Sequence, residues 1–187
     1  MIKEILTRSL SELANLLPPL ASMELPLERL GHAMLKCWQN RGKVLIAGNG
    51  GSAADAMHFA EELSVRFHKN RRALAAISLC DASAITCAAN DFGYEQVFAR
   101  QVEALGNPGD IFIALSTSGN SPSIVRAAEL AKTRKLITVA FLGKDGGRLK
   151  DVCDIELHVS SSLTARVQEV HQFLFHVLCE WIDMKVE

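Results

Sequence analysis

His58 and Glu62 stand four residues apart in Ala53 to Phe67, a stretch that reads as a helix, so both project from one face. An imidazole and a carboxylate at that spacing can share a divalent metal, divide acid and base work, or form a solvated surface pair. A second set lies in the long helix expected over Leu163 to Met184. Gln168 and His176 are eight positions apart, about 80° around an α-helix, and can face one broad cavity. His171 is a further candidate. Two imidazoles, a carboxylate and an amide oxygen would make a zinc shell. These residues come from two distant segments, and spacing alone does not bring them together.

Two loops have the chemistry to hold an anion. Gly48-Asn49-Gly50-Gly51-Ser52 follows a short apolar run and opens onto a helix, where free N–H groups and the helix dipole favour negative charge. Ser116-Thr117-Ser118-Gly119-Asn120-Ser121-Pro122 places four hydroxyls beside another helix start, with Pro122 at a first-turn position. Neutral donors without a Walker lysine suit a phosphate monoester. One of those hydroxyls would suffice as a helix cap. The first loop also fits a relaxed dinucleotide fingerprint, Gly48-x-Gly50-x-x-Ala53, with Asp81 placed to meet a ribose.

The elements that must position these residues alternate. Lys43–Ala47, Leu74–Leu79, Ile111–Leu115, Leu136–Leu142 and Ile155–Val159 read as strands, and Ala53–Phe67, Pro122–Arg134 and Leu163–Met184 as helices. Apolar strands alternating with helices predict an α/β sandwich, a parallel sheet covered on both faces with right-handed crossovers. Ligands in such sheets sit beyond the carboxyl ends of the strands, where both loops fall. Ile2 to Leu17 and a helix through Leu27, Leu30, Met34, Leu35 and Trp38 precede this core, and Pro18-Pro19 separates them. They must pack on the core or on another subunit.

Composition bounds the rest. The chain has 187 residues, which suits one domain: leading helices over 1–42 and an α/β core with its final helix over 43–187. Apolar residues make up 49% and charged residues 22%, and the net charge is −1. That balance supplies no global positive field for nucleic acid and points to a small-molecule or protein partner. No apolar run reaches the ~18 residues of a membrane span. Lys3, Glu4, Arg8 and Glu12 interrupt any signal-peptide pattern. The five scattered cysteines read as reduced, mostly packing thiols of a cytoplasmic protein.

Several motifs in consistent order resemble one family. They are the glycine loop followed by Ala56-Met57-His58-Phe59-Ala60-Glu61-Glu62-Leu63, then Ala89-Asn90-Asp91-Phe92-Gly93, Ser116 to Ser121, Gly143-Lys144-Asp145-Gly146-Gly147, and Ala165-Arg166-Val167-Gln168-Glu169-Val170-His171. Together, from about Lys43 to Asp183, they resemble the bacterial phosphoheptose isomerases of the sugar isomerase (SIS) superfamily. The resemblance implies a five-stranded parallel SIS sandwich, a homotetramer with interfacial active sites, and conversion of sedoheptulose 7-phosphate to D-glycero-D-manno-heptose 7-phosphate. That step opens the ADP- or GDP-heptose routes to lipopolysaccharide core or other surface polysaccharide. It implies Glu62 and His176 as the acid–base pair, and His58, Glu62, Gln168 and His176 as zinc ligands. It implies Ser52, Ser116, Thr117, Ser118 and Ser121 around the phosphate and nearby hydroxyls. Asn49, Gly50, Gly51, Arg66, Asn90, Asp91, Asn120 and Gln168 would line the rest of the substrate site. A non-enzymatic superfamily member that binds the replication initiator DnaA offers the alternative, a binding module, but both Glu62 and His176 are present here. One departure is Phe67-His68-Lys69-Asn70-Arg71-Arg72-Ala73, where the family usually has an Arg-Pro step. It leaves the geometry of that loop open.

Overall fold

The computed structural model describes residues 1–186; the last residue of the expected 1–187 domain, Glu187, lies outside them. Five strands form: β1 Val44–Gly48, β2 Ala76–Ser78, β3 Ile111–Ser116, β4 Ile137–Leu142 and β5 Ile155–His158. They make one parallel sheet in the order β2-β1-β3-β4-β5. The helices are α1 Ile2–Ala14, α2 Glu24–Gln39, α3 Gly51–Ser64, α4 Ala82–Phe92, α5 Ala99–Leu105, α6 Pro122–Thr133 and α7 Thr164–Lys185.

The two-residue period of the central strands divides their side chains between two cores. Val44, Ile46, Ile111, Ile113, Leu115, Val139 and Phe141 pack against α2, α3 and α7. Leu45, Ala47, Phe112, Ala114, Ala140 and Leu142 pack with residues of α4, α5 and α6 on the opposite face. β1 and β3 are buried along their whole length, whereas the edge strands β2 and β5 keep partly exposed positions. This is the expected doubly wound α/β sandwich.

Several boundaries differ from the sequence expectation. The first helix stops at Ala14 rather than Leu17, and Pro18–Met23 forms a separate 3-10 turn. β2 keeps only Ala76–Ser78 of the expected Leu74–Leu79, as befits an edge strand with one neighbour. α3 ends at Ser64, not Phe67. α4 and α5, which the sequence expectation does not include, fill the connection between β2 and β3. α2 packs on β5 and α7. α1 buries none of its own residues, and Ile2, Leu6 and Leu10 are 77%, 58% and 59% exposed.

Candidate active site

Beyond the carboxyl end of β1, α3 begins within the glycine loop and runs beside α7 in the same direction. Ser52 at the start of α3 meets Gln168, whose Nε2 lies 3.3 Å from the Ser52 hydroxyl. Further along, Gln172 Nε2 lies 3.1 Å from His58 Nδ1. The His58 and His176 rings then meet edge to face, 5.2 Å between centroids. Phe59 and Phe175 stack at 4.5 Å behind them and hold the helices together. The approach is close at the first rung: a Cβ at Gly51 would lie 2.6 Å from the Gln168 amide. Glycine there is a packing requirement.

His58 Nε2 is 3.1 Å from Glu62 Oε1. His58, Glu62 and His176 each offer one ligand atom, and these atoms all lie within 4.8 Å of one another. The carboxylate of the third helix and the imidazole of the last helix therefore meet. A tetrahedral zinc with ligands near 2.0–2.1 Å separates them by roughly 3.4 Å, close to the His58–Glu62 spacing. Two imidazoles and a carboxylate are also the ligand types of catalytic zinc sites, so the three residues fit a divalent metal. Gln168 rests on Ser52, and the amide that reaches the triad is that of Gln172.

The hollow between these side chains, lined by His58, Phe59, Glu62, Phe175, His176 and Cys179, has no room for a water-sized sphere. Ligand pockets usually exceed about 300 Å³. The hollow excludes a sugar, whose chain must lie outside it. The Cys179 thiol is pushed up to about 12 by burial first and by the charge of Glu62 second, so it stays protonated. All five cysteines are free.

The loop with the unusual sequence closes this site. Phe67 stacks on the His176 ring, 5.6 Å between centroids and 26° between planes. Arg71 is buried and pairs with Asp183 of α7, Nε to Oδ1 at 2.7 Å. Its other donors reach the carbonyls of Glu62, Leu63 and Arg72. Two of those lie in the last turn of α3, where carbonyls lack intrahelical partners, so Arg71 caps the end of that helix. Asp183 Oδ2 accepts the N–H groups of His68 and Lys69. The loop is thus tied at one end to the backbone of Glu62 and at the other to the helix carrying His176.

The hydroxyl loop follows β3. Ser116 is buried and its Oγ accepts the Gly119 N–H, so this hydroxyl braces the loop. Ser118 Oγ accepts from the Asn120 backbone, and Asn120 Oδ1 accepts from the Arg148 N–H. Thr117 and Ser118 are half-buried, and Ser121 precedes α6 without capping it, which leaves its hydroxyl for another partner. Gly119 has φ +63°, and a Cβ there would stand 1.8 Å from the Gly146 carbonyl oxygen, so the loop is clamped against the Gly143–Gly147 turn.

Asn49 joins the glycine loop to both neighbours: it accepts from Tyr94 Oη at 2.8 Å and donates to Ser123 Oγ at 3.1 Å. Gly50, with φ +57°, is exposed beside it. Asn90 and Asp91 lie exposed at the end of α4, hydrogen-bonded to each other. Arg66 lies past the end of α3, exposed and outside every ion pair among the described residues. Two candidates go elsewhere. His171 is fully buried on another side of α7, its Nε2–H donating to the Leu142 carbonyl, and burial drives its pKa down to about 4. Asp81, the acid a dinucleotide would require, caps α4 by accepting from Ala84 N–H and Ser83 Oγ.

Five residues here were not singled out by sequence reasoning. Gln172 carried a signal, since it falls four residues from both Gln168 and His176. Asp55 carried one too, a turn before His58. Its pKa is raised by burial, against the lowering effect of His58, and its Oδ2 is buried without a partner. Phe67, Arg71 and Asp183 act through contacts up to 115 residues apart, which no local pattern encodes.

Comparison with known proteins assigns the family. The SIS domain family model matches residues 10–143. The phosphoheptose isomerase of Fusobacterium nucleatum is 50% identical over 156 residues, covering 83% of this chain and 80% of the relative. That of Helicobacter pylori strain P12 is 49% identical over 165 residues, covering 88% and 86%. The solved structure of phosphoheptose isomerase GmhA from Neisseria gonorrhoeae superposes with a TM-score of 0.92 at 38% identity, covering 98% of this chain and all of that one. Fold and site thus define a SIS-domain protein. Within that class the chain belongs to the phosphoheptose isomerase family, a family of isomerase enzymes.

Proposed function

We propose that the protein interconverts sedoheptulose 7-phosphate and D-glycero-D-manno-heptose 7-phosphate. The observation that carries this reading is the meeting of Glu62 and His176, in a chain whose relatives bear the name phosphoheptose isomerase. Aldose–ketose isomerisation moves a proton between C1 and C2 through an enediol. Glu62 carries the proton between the carbons, and His176 protonates the oxygens or opens the ring. His58, Glu62 and His176, with Gln168 as fourth ligand, would hold zinc, which would supply Lewis-acid polarisation of the carbonyl. Ser52, Thr117, Ser118 and Ser121, with Ser116 bracing the loop, hold the phosphate at the helix N-termini of α3 and α6. Asn49, Gly50, Gly51, Arg66, Asn90, Asp91, Asn120 and Gln168 surround the sugar chain.

The same reading makes the enzyme a homotetramer with active sites completed at subunit interfaces. Two features support it: the hollow at the triad is too small for the substrate, and α1 presents Ile2, Leu6 and Leu10 to solvent. Next to α1, an apolar groove lined by Leu17, Leu20, Leu27, Phe173, Val177 and Trp181 is open as well. Exposed apolar surface of this kind calls for a partner. The reaction belongs to the cytoplasm, where free thiols stay reduced, and opens nucleotide-activated heptose synthesis for surface polysaccharide. Among the described residues no helix is long and apolar enough to cross a membrane.

The test is incubation of the purified protein with sedoheptulose 7-phosphate in deuterated water, followed by NMR, with metal content and oligomeric mass measured on the same sample. The expected result is solvent deuterium at C1 or C2 and appearance of the aldose. Binding of the sugar phosphate without turnover would replace the isomerase with a binding module. Full activity after chelation, with absence of metal verified by elemental analysis, would remove zinc from the reading. A monomer at working concentration would remove the interfacial site.

A further inference from the structure

We propose that Gln172 is a positioning residue that dictates which ring nitrogen of His58 carries the proton, and so whether His58 meets Glu62 as a donor or offers a lone pair to a metal. The second half of this inference rests on the metal reading above; the first does not.

The His58 ring has one polar contact at each nitrogen. Gln172 Nε2 lies 3.1 Å from Nδ1, and Glu62 Oε1 lies 3.1 Å from Nε2. Both neighbours are partly buried, so water competes poorly for these positions. A neutral imidazole has one N–H and one lone pair, and the partner at one nitrogen fixes the role of the other. With the NH2 end of the Gln172 amide toward Nδ1, that nitrogen accepts. The proton then sits on Nε2 and is donated to Glu62. This is the arrangement that holds a carboxylate and an imidazole together without a cation.

A half-turn of the amide about its last bond exchanges donor for acceptor. Oε1 of Gln172 then accepts from Nδ1–H, and the Nε2 lone pair turns toward Glu62. Two acceptors would face each other 3.1 Å apart, which is unfavourable unless a cation lies between them. The two amide orientations therefore match the two states of the site, closed on itself or open to a metal. Glutamine can serve both states because its terminal amide carries a donor and an acceptor of nearly equal size. A carboxylate or thioether at 172 could serve at most one. Partners at the distal nitrogen of a metal-binding histidine are known to fix its tautomer and orientation in this way.

The experiment uses full-length protein labelled with ¹⁵N-histidine, as wild type, Gln172→Glu and Gln172→Met. The His58 ring signals are assigned by their loss in His58→Asn. Metal-free spectra at about pH 8.5, two units above the usual imidazole value of about 6.5, are expected to show Nε2–H in the wild type. Gln172→Glu, which faces both ring nitrogens with acceptors, should lose that preference, and Gln172→Met should show a mixture. Zinc affinity by chelator competition should fall roughly 10- to 100-fold in Gln172→Met and hold or tighten in Gln172→Glu. The same His58 tautomer in all three proteins overturns the inference. So does a Gln172→Met zinc affinity within about threefold of wild type, against the loss expected for such a partner. A wild type that binds no zinc overturns the metal reading instead, and the metal-free spectra still decide the tautomer.

Discussion

Arg71 and Asp183 form an ion pair of 2.7 Å with both side chains out of solvent; Arg71 reaches the α3 carbonyls of Glu62 and Leu63, and Asp183 on α7 accepts the loop N–H groups of His68 and Lys69. The pair is one of the ties between the helices that carry Glu62 and His176, beside the Phe59–Phe175 stack. Burial alone would raise the pKa of Asp183. Hydrogen bonds from the Lys69 N–H, Arg71 and the His68 N–H outweigh it and hold the carboxyl below its ordinary value.

Removing one partner leaves the other charged and buried, so Asp183→Asn or Arg71→Met should cost about 3–5 kcal/mol of stability. Urea denaturation measures it. Because the folded-state pKa of Asp183 is depressed, its contribution is complete above the unfolded value of about 3.9 and is lost as the pH falls through the folded one. The wild type should therefore lose stability in acid more steeply than Asp183→Asn.

Glu62→Gln and His176→Gln should each lower turnover by roughly 10²–10⁴-fold and leave the circular dichroism spectrum unchanged. The NMR exchange assay reads the first effect. A parent rate in Glu62→Gln would dismiss that carboxylate as the proton carrier.

Ser118→Ala and Ser121→Ala should raise KM more than they lower kcat. A hydrogen bond to a charged group contributes about 1.5–3 kcal/mol, so each loss should weaken binding by roughly 10- to 150-fold. The effect should vanish for a dephosphorylated heptose. Ser116→Ala, which removes a loop brace, should instead change stability and affinity together.

His171 supplies a second pH dependence, of opposite origin. Burial keeps its ring neutral with a pKa of about 4, against the partial support of the Leu142 carbonyl. The unfolded chain takes up that proton near pH 6.5, so stability is complete above that value. It declines as the pH falls toward 4, by about 3 kcal/mol in all. Denaturation series at pH 7 and pH 5 should differ accordingly, and His171→Leu should lose most of the difference.

Much of this was legible from residue order alone. The runs Val44–Ala47, Ile111–Leu115 and Ile137–Leu142 are apolar because both faces of those strands are covered, and such runs announce a parallel sheet. The i, i+4 spacing of His58 and Glu62 gave one face of the triad. α4 was legible in principle, since Ile85, Ala88, Ala89 and Phe92 recur at helical spacing, and it escapes the sequence expectation because little of that stripe is bulky or fully buried. α5 is seven residues long, too short for periodicity to register. His171 and His176 look alike in the sequence, and only packing against Phe141 and Phe67 separates them. The loop 67–73 was open because its order comes from Asp183, far along the chain.

The shared direction of α3 and α7 has a consequence for how this chain can vary. Ser52 with Gln168, and His58 with Gln172 and His176, are rungs of one ladder. Inserting or deleting a single residue near the start of α7 would rotate everything after it by about 100° and shift it about 1.5 Å. All the rungs beyond that point would part at once. Individual letters in this stretch can change, but its length cannot.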